Sequence, residues 1–381
     1  MAQIDAFFKL MNDEGASDLH MMAGQQPVLR IRGDMERVKF KVLENEMLKS
    51  MLYEICPEDR IKIFEETGDM DFAYELPGLA RYRCNFFQQK YGIGAVFREI
   101  PSEILTCEQL GLPKVVSRLS SLPKGLVLIT GPTGSGKSTT LAAVIDECNK
   151  NRKDHIITVE DPIEFVHRSQ NCIVNHREVG THTRSFSAAL RGALREDPDI
   201  ILVGEVRDKD TAEMAFRAAM TGHQVFSTLH TNSALRSFQR IKDLGVSPEV
   251  MAGNIIGIVA QRLVRRVCVH CREEVQVTEG SIEARLIGAH AVGRTVYRAH
   301  HGGCEACGFQ GYKGRLAIME LLRMDSMLDE LITRNATLGE LTAHAMAHGF
   351  APMAEDGLRR VLEGITTVEE VGRVVDLTTK L

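Results

Sequence analysis

The sequence predicts an α/β protein: a mostly parallel sheet covered by helices, preceded by a small α+β domain and followed by a helical subdomain. Three observations carry that expectation. From residue 126 onward, apolar runs at 126–129, 156–159, 200–203 and 225–229 alternate with stretches of helical period, the pattern of strands joined by crossover helices. A polar cluster follows each run, where an open parallel sheet receives its ligands. The first cluster, Gly131-Pro132-Thr133-Gly134-Ser135-Gly136-Lys137-Ser138, matches the phosphate-binding pattern G-x-x-x-x-G-K-S at every position and stands between a strand-like run and a helical stretch that begins at Thr139.

The residue types of that loop explain its chemistry. Glycines at 131, 134 and 136 let the backbone turn with positive φ and bring successive N–H groups to phosphate oxygens, and the following helix adds the partial positive charge of its N-terminus. Lys137 reaches the outer phosphates as a point charge, and the Ser138 hydroxyl suits a bridging magnesium ion. The expected nucleotide contacts are Gly131, Thr133, Gly134, Ser135, Gly136, Lys137, Ser138 and Thr139.

Composition bounds the rest. The 381 residues are long for one core and are 44% hydrophobic and 25% charged, so two or three soluble globular domains are expected. A net charge of −5, a pI near 6.2 and the lack of tryptophan give no pull toward nucleic acid. The chain has neither a long apolar span nor a charged-then-apolar leader, which makes the cytoplasm the expected compartment.

In chain order, the helical face of Phe7, Phe8 and Met11 is followed by strand-like alternation at 18–22, 28–31, 71–74, 81–88 and 94–98. Arg81 and Arg83 share one face of a strand and Arg98 ends its neighbour, either as a solvated basic edge or as anion contacts. A proline-bearing hinge leads into the alternating core. There Glu160-Asp161-Pro162-Ile163-Glu164 crowds three carboxylates after a strand, an arrangement a cation or a polarised water would relieve, and one of them suits a base. The run at 200–203 delivers Glu205 at its far end toward a metal–water network, and His223 and His230 flank the run at 225–229 as structural histidines or phosphate sensors. Arg191 and Arg195 stand four apart and are expected on one helical face directed at the strand beginning near Asp199. These arginines exceed what one phosphate loop needs, which points to groups reaching a neighbour's site.

Cys268-x-x-Cys271 and Cys304-x-x-Cys307 have the number and softness of ligands for a tetrahedral structural zinc, with free thiols as the alternative. The segment from Leu328 onward reads as packed amphipathic helices punctuated by Gly349, Gly357 and Gly364.

Taken together, Gly15-Ala16-Ser17-Asp18-Leu19-His20, the phosphate loop, the acidic box ending at Glu164, Val203-Gly204-Glu205-Val206-Arg207-Asp208 and the histidine box through His230 resemble the ATPases of type IV pili and type II secretion, over essentially the whole chain. The resemblance implies a PAS-like N-terminal domain at 1–102, a linker at 103–124, a RecA-like ATPase core at 125–265, a tetracysteine insertion at 266–315 and a helical subdomain at 316–381. It implies ATP and magnesium as ligands, a homo-hexamer, and an inner-membrane platform protein as partner at the cytoplasmic face of that membrane, with peripheral contact only and no nucleic acid. By the same resemblance Glu164 is the catalytic acid-box glutamate, Glu205 the second-motif glutamate, His230 and less directly His223 the γ-phosphate sensors, and Arg83, Arg98, Arg191 and Arg195 phosphate contacts. The short N-terminus is similar to retraction motors, whereas the four cysteines and the C-terminal Glu355-Asp356-Gly357-Leu358 region are similar to assembly and secretion motors. That balance leans toward assembly or secretion. A nucleic-acid translocase and a nucleotide switch without steady turnover are the alternatives from other classes.

Overall fold

The computed structural model describes residues 2–31, 33–100 and 103–378, and the chain divides into two compact units. One contains the residues up to 104 together with 162–166; the other contains 105–161 and the chain from 167 onward. Pro101 and Ser102, at the expected hinge, lie outside the described residues.

The first unit opens with α1 (Asp5–Asp13), which buries Phe7, Phe8 and Met11 and ends before Gly15, whose φ of 62° turns the chain. There follow β1 (Ala16–Met22), β2 (Val28–Ile31), β3 (Asp34–Arg37), α2 (Asn45–Tyr53), α3 (Glu58–Thr67), β4 (Asp69–Leu76), β5 (Ala80–Gln89) and β6 (Gly92–Ile100). The strands form one antiparallel sheet in the order β3-β2-β1-β6-β5-β4. Alternation in β5 turns Tyr82, Cys84 and Phe86 into the core, where the Tyr82 ring stacks on Phe8 at 4.1 Å and Phe97 meets Phe8 edge-on.

The second unit comprises α4 (Lys114–Ser117), β7 (Gly125–Thr130), α5 (Lys137–Asn151), β8 (His155–Glu160), β9 (Ile173–Glu178), α6 (Phe186–Ala193), β10 (Ile200–Val203), α7 (Lys209–Met220), β11 (Gln224–Leu229), α8 (Arg236–Asp243), α9 (Pro248–Met251) and β12 (Ile255–Val267), then β13 (Glu273–Gln276), α10 (Ile282–Ile287), β14 (Thr295–Arg298), β15 (Tyr312–Arg323), α11 (Ser326–Thr333), α12 (Leu338–Ala347), α13 (Met353–Leu362) and α14 (Val368–Val374). Seven of its strands form a sheet ordered β15-β12-β7-β11-β10-β8-β9, parallel except for the β12–β15 pair. All six residues of β7 are buried, and their alternation feeds two layers. Leu126 and Leu128 pack in the cluster that holds residues of α6, α7 and α8, whereas Val127 and Ile129 pack with Leu141, Val144 and Cys148 of α5. A strand buried on both faces is what a covered parallel sheet requires.

The structure adds six strands to the sequence reading, β3, β9, β12, β13, β14 and β15. β3 and β9 carry too few apolar residues for a strand period to show, and the near-continuous apolar run at the start of β12 does not separate strand from helix. Residues 316–323, expected in the helical subdomain, belong to β15, and the C-terminal helices begin at Ser326. Both cysteine pairs therefore lie in the connection between β12 and β15, with the β13–β14 hairpin.

The last helix is tied back to the sheet by charge. Glu370, 1% exposed, accepts from the backbone N–H and the guanidinium of Arg265 on β12 and from Arg373. Burial opposes its ionisation, but the two guanidiniums outweigh burial and hold its carboxyl down to about 2.

Candidate active site

The phosphate loop leaves the carboxyl end of β7 and enters α5 at Lys137. Gly134 and Gly136 have φ of 77° and 84°, conformations that side chains disfavour. At Gly131 the constraint is space: a Cβ there would lie 2.5 Å from Ser135 Oγ and 2.6 Å from the Gln261 carbonyl oxygen. The Lys137 ammonium donates to the carbonyls of Gly131 and Pro132 at 2.9 and 3.1 Å, so its charge is held over the loop. Pro132, Thr133 and Gly134 are exposed, and Ser138 and Thr139 are half-buried. Beneath them the fully buried Gln261 of β12 donates from Nε2 to the Ser135 carbonyl at 2.7 Å.

The neighbouring strand ends converge on this loop. Thr130, the last residue of β7, accepts from the Thr231 N–H at 2.9 Å and thereby joins the loop's root to the segment after β11. Gly204, just past β10, donates to the Val159 carbonyl of β8 at 2.8 Å, and Val206 donates to the Thr228 carbonyl of β11 at 3.1 Å. Glu205 is held between those two bonds. Its carboxylate meets His230 Nε2 at 3.0 Å and an Arg207 nitrogen at 2.7 Å. A carboxylate paired with an imidazole fixes the ring's orientation and leaves the second ring nitrogen for another partner.

Glu160 ends β8 with 8% of its surface exposed, and Glu178 stands opposite it at the end of β9. His176 on β9 shares a 2.8 Å hydrogen bond between its Nδ1 and Thr158 Oγ1, and the same nitrogen lies 3.9 Å from Glu160. His176 Nε2 in turn accepts from the His167 backbone N–H at 3.0 Å. Burial, with a smaller contribution from His176, pushes His167 down to about 4. The unfolded chain then binds more protons than the folded one between that value and the ordinary 6.5, so stability is full above pH 6.5 and drains as pH falls toward 4. The loss amounts to about 3 kcal/mol. Denaturant titration at pH 7.5 and 5.0 is expected to show about 2 kcal/mol of this loss in the wild type and a much smaller one in His167→Phe.

Other predicted residues lie elsewhere. Glu164 belongs to the stretch 162–166 that clusters with the first unit. In that unit Arg83 and Arg98 face each other directly across β5 and β6. Like charges so placed repel, and Asp18, 2.7 Å from Arg98, and Asp71, 3.8 Å from Arg83, offset the repulsion while the arginine side chains stay 69% and 47% exposed. Two expectations are corrected. His223 precedes β11, at the amino end of the parallel strands, and its Nδ1 contacts the Ala218 carbonyl closing α7; a six-residue strand puts it about 20 Å from the phosphate-loop end of its own chain. Arg195 is not on a helix with Arg191, because α6 ends at Ala193, and both arginines are exposed rather than turned toward β10. The stop has a local cause: Asp197 has φ of 54° and precedes Pro198.

Sequence reasoning missed Gln261 and the adjacent Arg262, which donates to the carbonyl and side-chain oxygens of Asn232 at 3.1 Å. The available signal was a Gln-Arg pair interrupting the apolar run from Ile255 to Leu263.

Between β12 and β15 the four cysteine sulfurs lie within 4.8 Å of one another, with Cys268–Cys304 and Cys304–Cys307 at 3.8 Å and Cys271–Cys307 at 3.9 Å. A tetrahedron with Zn–S bonds of about 2.3 Å has edges of about 3.8 Å. Backbone N–H groups of Cys304 and Gly311 point at Cys307 Sγ from 3.2 Å, as they do around a metal-bound thiolate. The donor set fits zinc.

A phosphate loop at the carboxyl edge of a parallel sheet, with an acid–imidazole pair on the adjoining strand ends, defines a phosphate-loop ATPase with a RecA-like core. The chain belongs to the family described as Type II/IV secretion system protein, which matches residues 2–373. Among its relatives it is 50% identical over 260 residues to the type IV pilus retractation ATPase PilT of Pseudomonas aeruginosa, covering 67% of this chain and 76% of that protein. It is 37% identical over 374 residues to the type II secretion system protein E of Pseudomonas aeruginosa, covering 95% and 72%. A crystal structure of the pilus retraction motor PilT with bound ADP superposes with a TM-score of 0.81 at 34% identity, covering 100% of this chain and 99% of that one. Among the described residues no helix is long and apolar enough to cross a membrane.

Proposed function

We propose that this chain is a ring-forming motor that hydrolyses ATP to drive type IV pilus dynamics or the pseudopilus of type II secretion, acting on an inner-membrane platform protein from the cytoplasmic face. The observation that carries the reading is the Glu205–His230 contact at 3.0 Å, beside the phosphate loop. Lys137 and the loop N–H groups hold the β- and γ-phosphates, Glu205 accepts from His230 and orients it, and the second ring N–H of His230 donates to the γ-phosphate. The Ser138 hydroxyl and the carboxylates at the strand ends are hard oxygen donors of the kind magnesium takes. Bound there, magnesium neutralises phosphate charge.

Glu164 serves as the base that takes the proton of the attacking water. Arg83, Arg98, Arg191 and Arg195 have exposed head groups, which supports their completing the site of a neighbouring subunit in a homo-hexamer. The domain division proposed is a PAS-like unit at 1–102, a linker at 103–124 and the ATPase core from 125, with zinc held by Cys268, Cys271, Cys304 and Cys307 as a structural element. The chain is 50% identical to a retraction motor over 260 residues and 37% identical to a secretion motor over 374, and the reading takes in both branches.

Glu164→Gln tests the catalytic part. Losing a positioned base costs about 10²–10⁴ in turnover, while nucleotide affinity, carried by the loop, is expected to hold. A variant that turns over ATP at the wild-type rate would contradict the role of Glu164, and a wild type that binds ATP without steady turnover would favour a switch. Salt-dependent retention on single-stranded DNA, which this reading does not expect, would favour a translocase.

A further inference from the structure

The loop that follows His230 is anchored from below by two residues of the β12–β15 pair. Arg262 holds Asn232 by two hydrogen bonds. Glu320 of β15, directly opposite Ala260 in the sheet, accepts from the Ala234 N–H with Oε1 at 2.7 Å. The other oxygen of the same carboxylate accepts from the Met353 N–H, the first residue of α13, at 3.1 Å. Glu320 is 7% exposed, so both bonds form out of water. A buried carboxylate shared between two chain segments has no slack: movement of one donor must move the other or leave a buried N–H unpaired, at a cost comparable to a lost hydrogen bond.

The α13 end of this link is stiff. Asp356 accepts from the Met319 N–H of β15 at 2.9 Å, and a Cβ at Gly357 would lie 2.7 Å from Val371 of α14 and 3.3 Å from Ile318 of β15. Helices α13 and α14 are thereby pressed against the strand that carries Glu320.

We infer that Glu320 is a positioning residue of the ATPase site, a shared anchor through which the loop after His230 and the N-terminus of α13 move together. The inference rests on His230 contacting the nucleotide. When His230 engages the γ-phosphate, residues 231–234 shift with it, and the Ala234–Glu320–Met353 bridge passes that shift to the C-terminal helices.

The test compares Glu320→Gln with Asp356→Asn in the full chain, measuring kcat and KM for ATP and hydrogen exchange of residues 353–362 with and without a slowly hydrolysed ATP analogue. Glutamine keeps the volume but presents an NH₂ group to one of two donors, so one anchor is lost. Asp356→Asn loosens α13 on the same strand, and among the described residues Asp356 has no hydrogen bond to 231–234. Expected for Glu320→Gln is a kcat lower by about tenfold with KM within about twofold, and loss of the nucleotide-dependent protection of α13. Asp356→Asn is expected to retain both.

The inference is overturned if Glu320→Gln lowers kcat no further than Asp356→Asn, or if exchange in wild-type α13 ignores nucleotide. His230→Ala separates the two levels. Full turnover there removes the sensor reading and this inference with it, whereas loss of turnover in His230→Ala beside an unaffected Glu320→Gln overturns this inference alone.

Discussion

Lys137→Ala is expected to lower steady-state ATP hydrolysis by about a thousandfold or more, because an ammonium aimed at developing phosphate charge in a partly dehydrated site contributes about 4 kcal/mol or more to the barrier. The side chain is 8% exposed and is held over the loop by the Gly131 and Pro132 carbonyls. Its replacement removes the charge without disturbing the turn, which Gly131, Gly134 and Gly136 and the Gln261–Ser135 bond maintain. Phosphate release at saturating ATP, with circular dichroism of the same sample to establish folding, checks the result. Lys137→Arg is not expected to rescue it, since a planar fork does not fit where a compact point charge sits.

The second large effect concerns the tetracysteine module. Structural zinc contributes apparent binding free energies of about 10–16 kcal/mol in zinc-finger peptides, and the connection between β12 and β15 contains only short elements, β13, α10 and β14. Cys304→Ser is therefore expected to lose about one zinc per chain and to open residues 268–311 to proteolysis, while the seven-stranded sheet stays folded. Metal analysis and limited proteolysis of wild type and variant read both effects. Retained protease resistance in a metal-free sample would mean that the thiols hold the module without an ion.

How legible the site was in the sequence depended on the range of its interactions. The phosphate loop could be read because its function is local: glycines, lysine and serine act within eight consecutive residues. Glu205 and His230 could be read because each directly follows an apolar run, and strand ends are where a parallel sheet gathers its ligands. Their mutual contact could not, since β10 and β11 become neighbours only through the fold. Gln261, Arg262 and Glu320 were hidden for the same reason: Arg262 acts across 30 residues, Glu320 across 86 and Gln261 across 126, each on a different element. His223 went astray on geometry that was available, because a six-residue strand separates the two histidines by its own length. Arg195 went astray on helix length, where Pro198 signalled the stop.

Specific ATPase rate against protein concentration, with Lys137→Ala as the blank, tests the motor account most directly. A rate per subunit that rises with concentration and saturates as a hexamer forms, and that falls by about a thousandfold when Arg83 and Arg98 are replaced together, is the predicted result. Full turnover at concentrations where the protein is monomeric would contradict it, because each chain would then hold a complete site of its own.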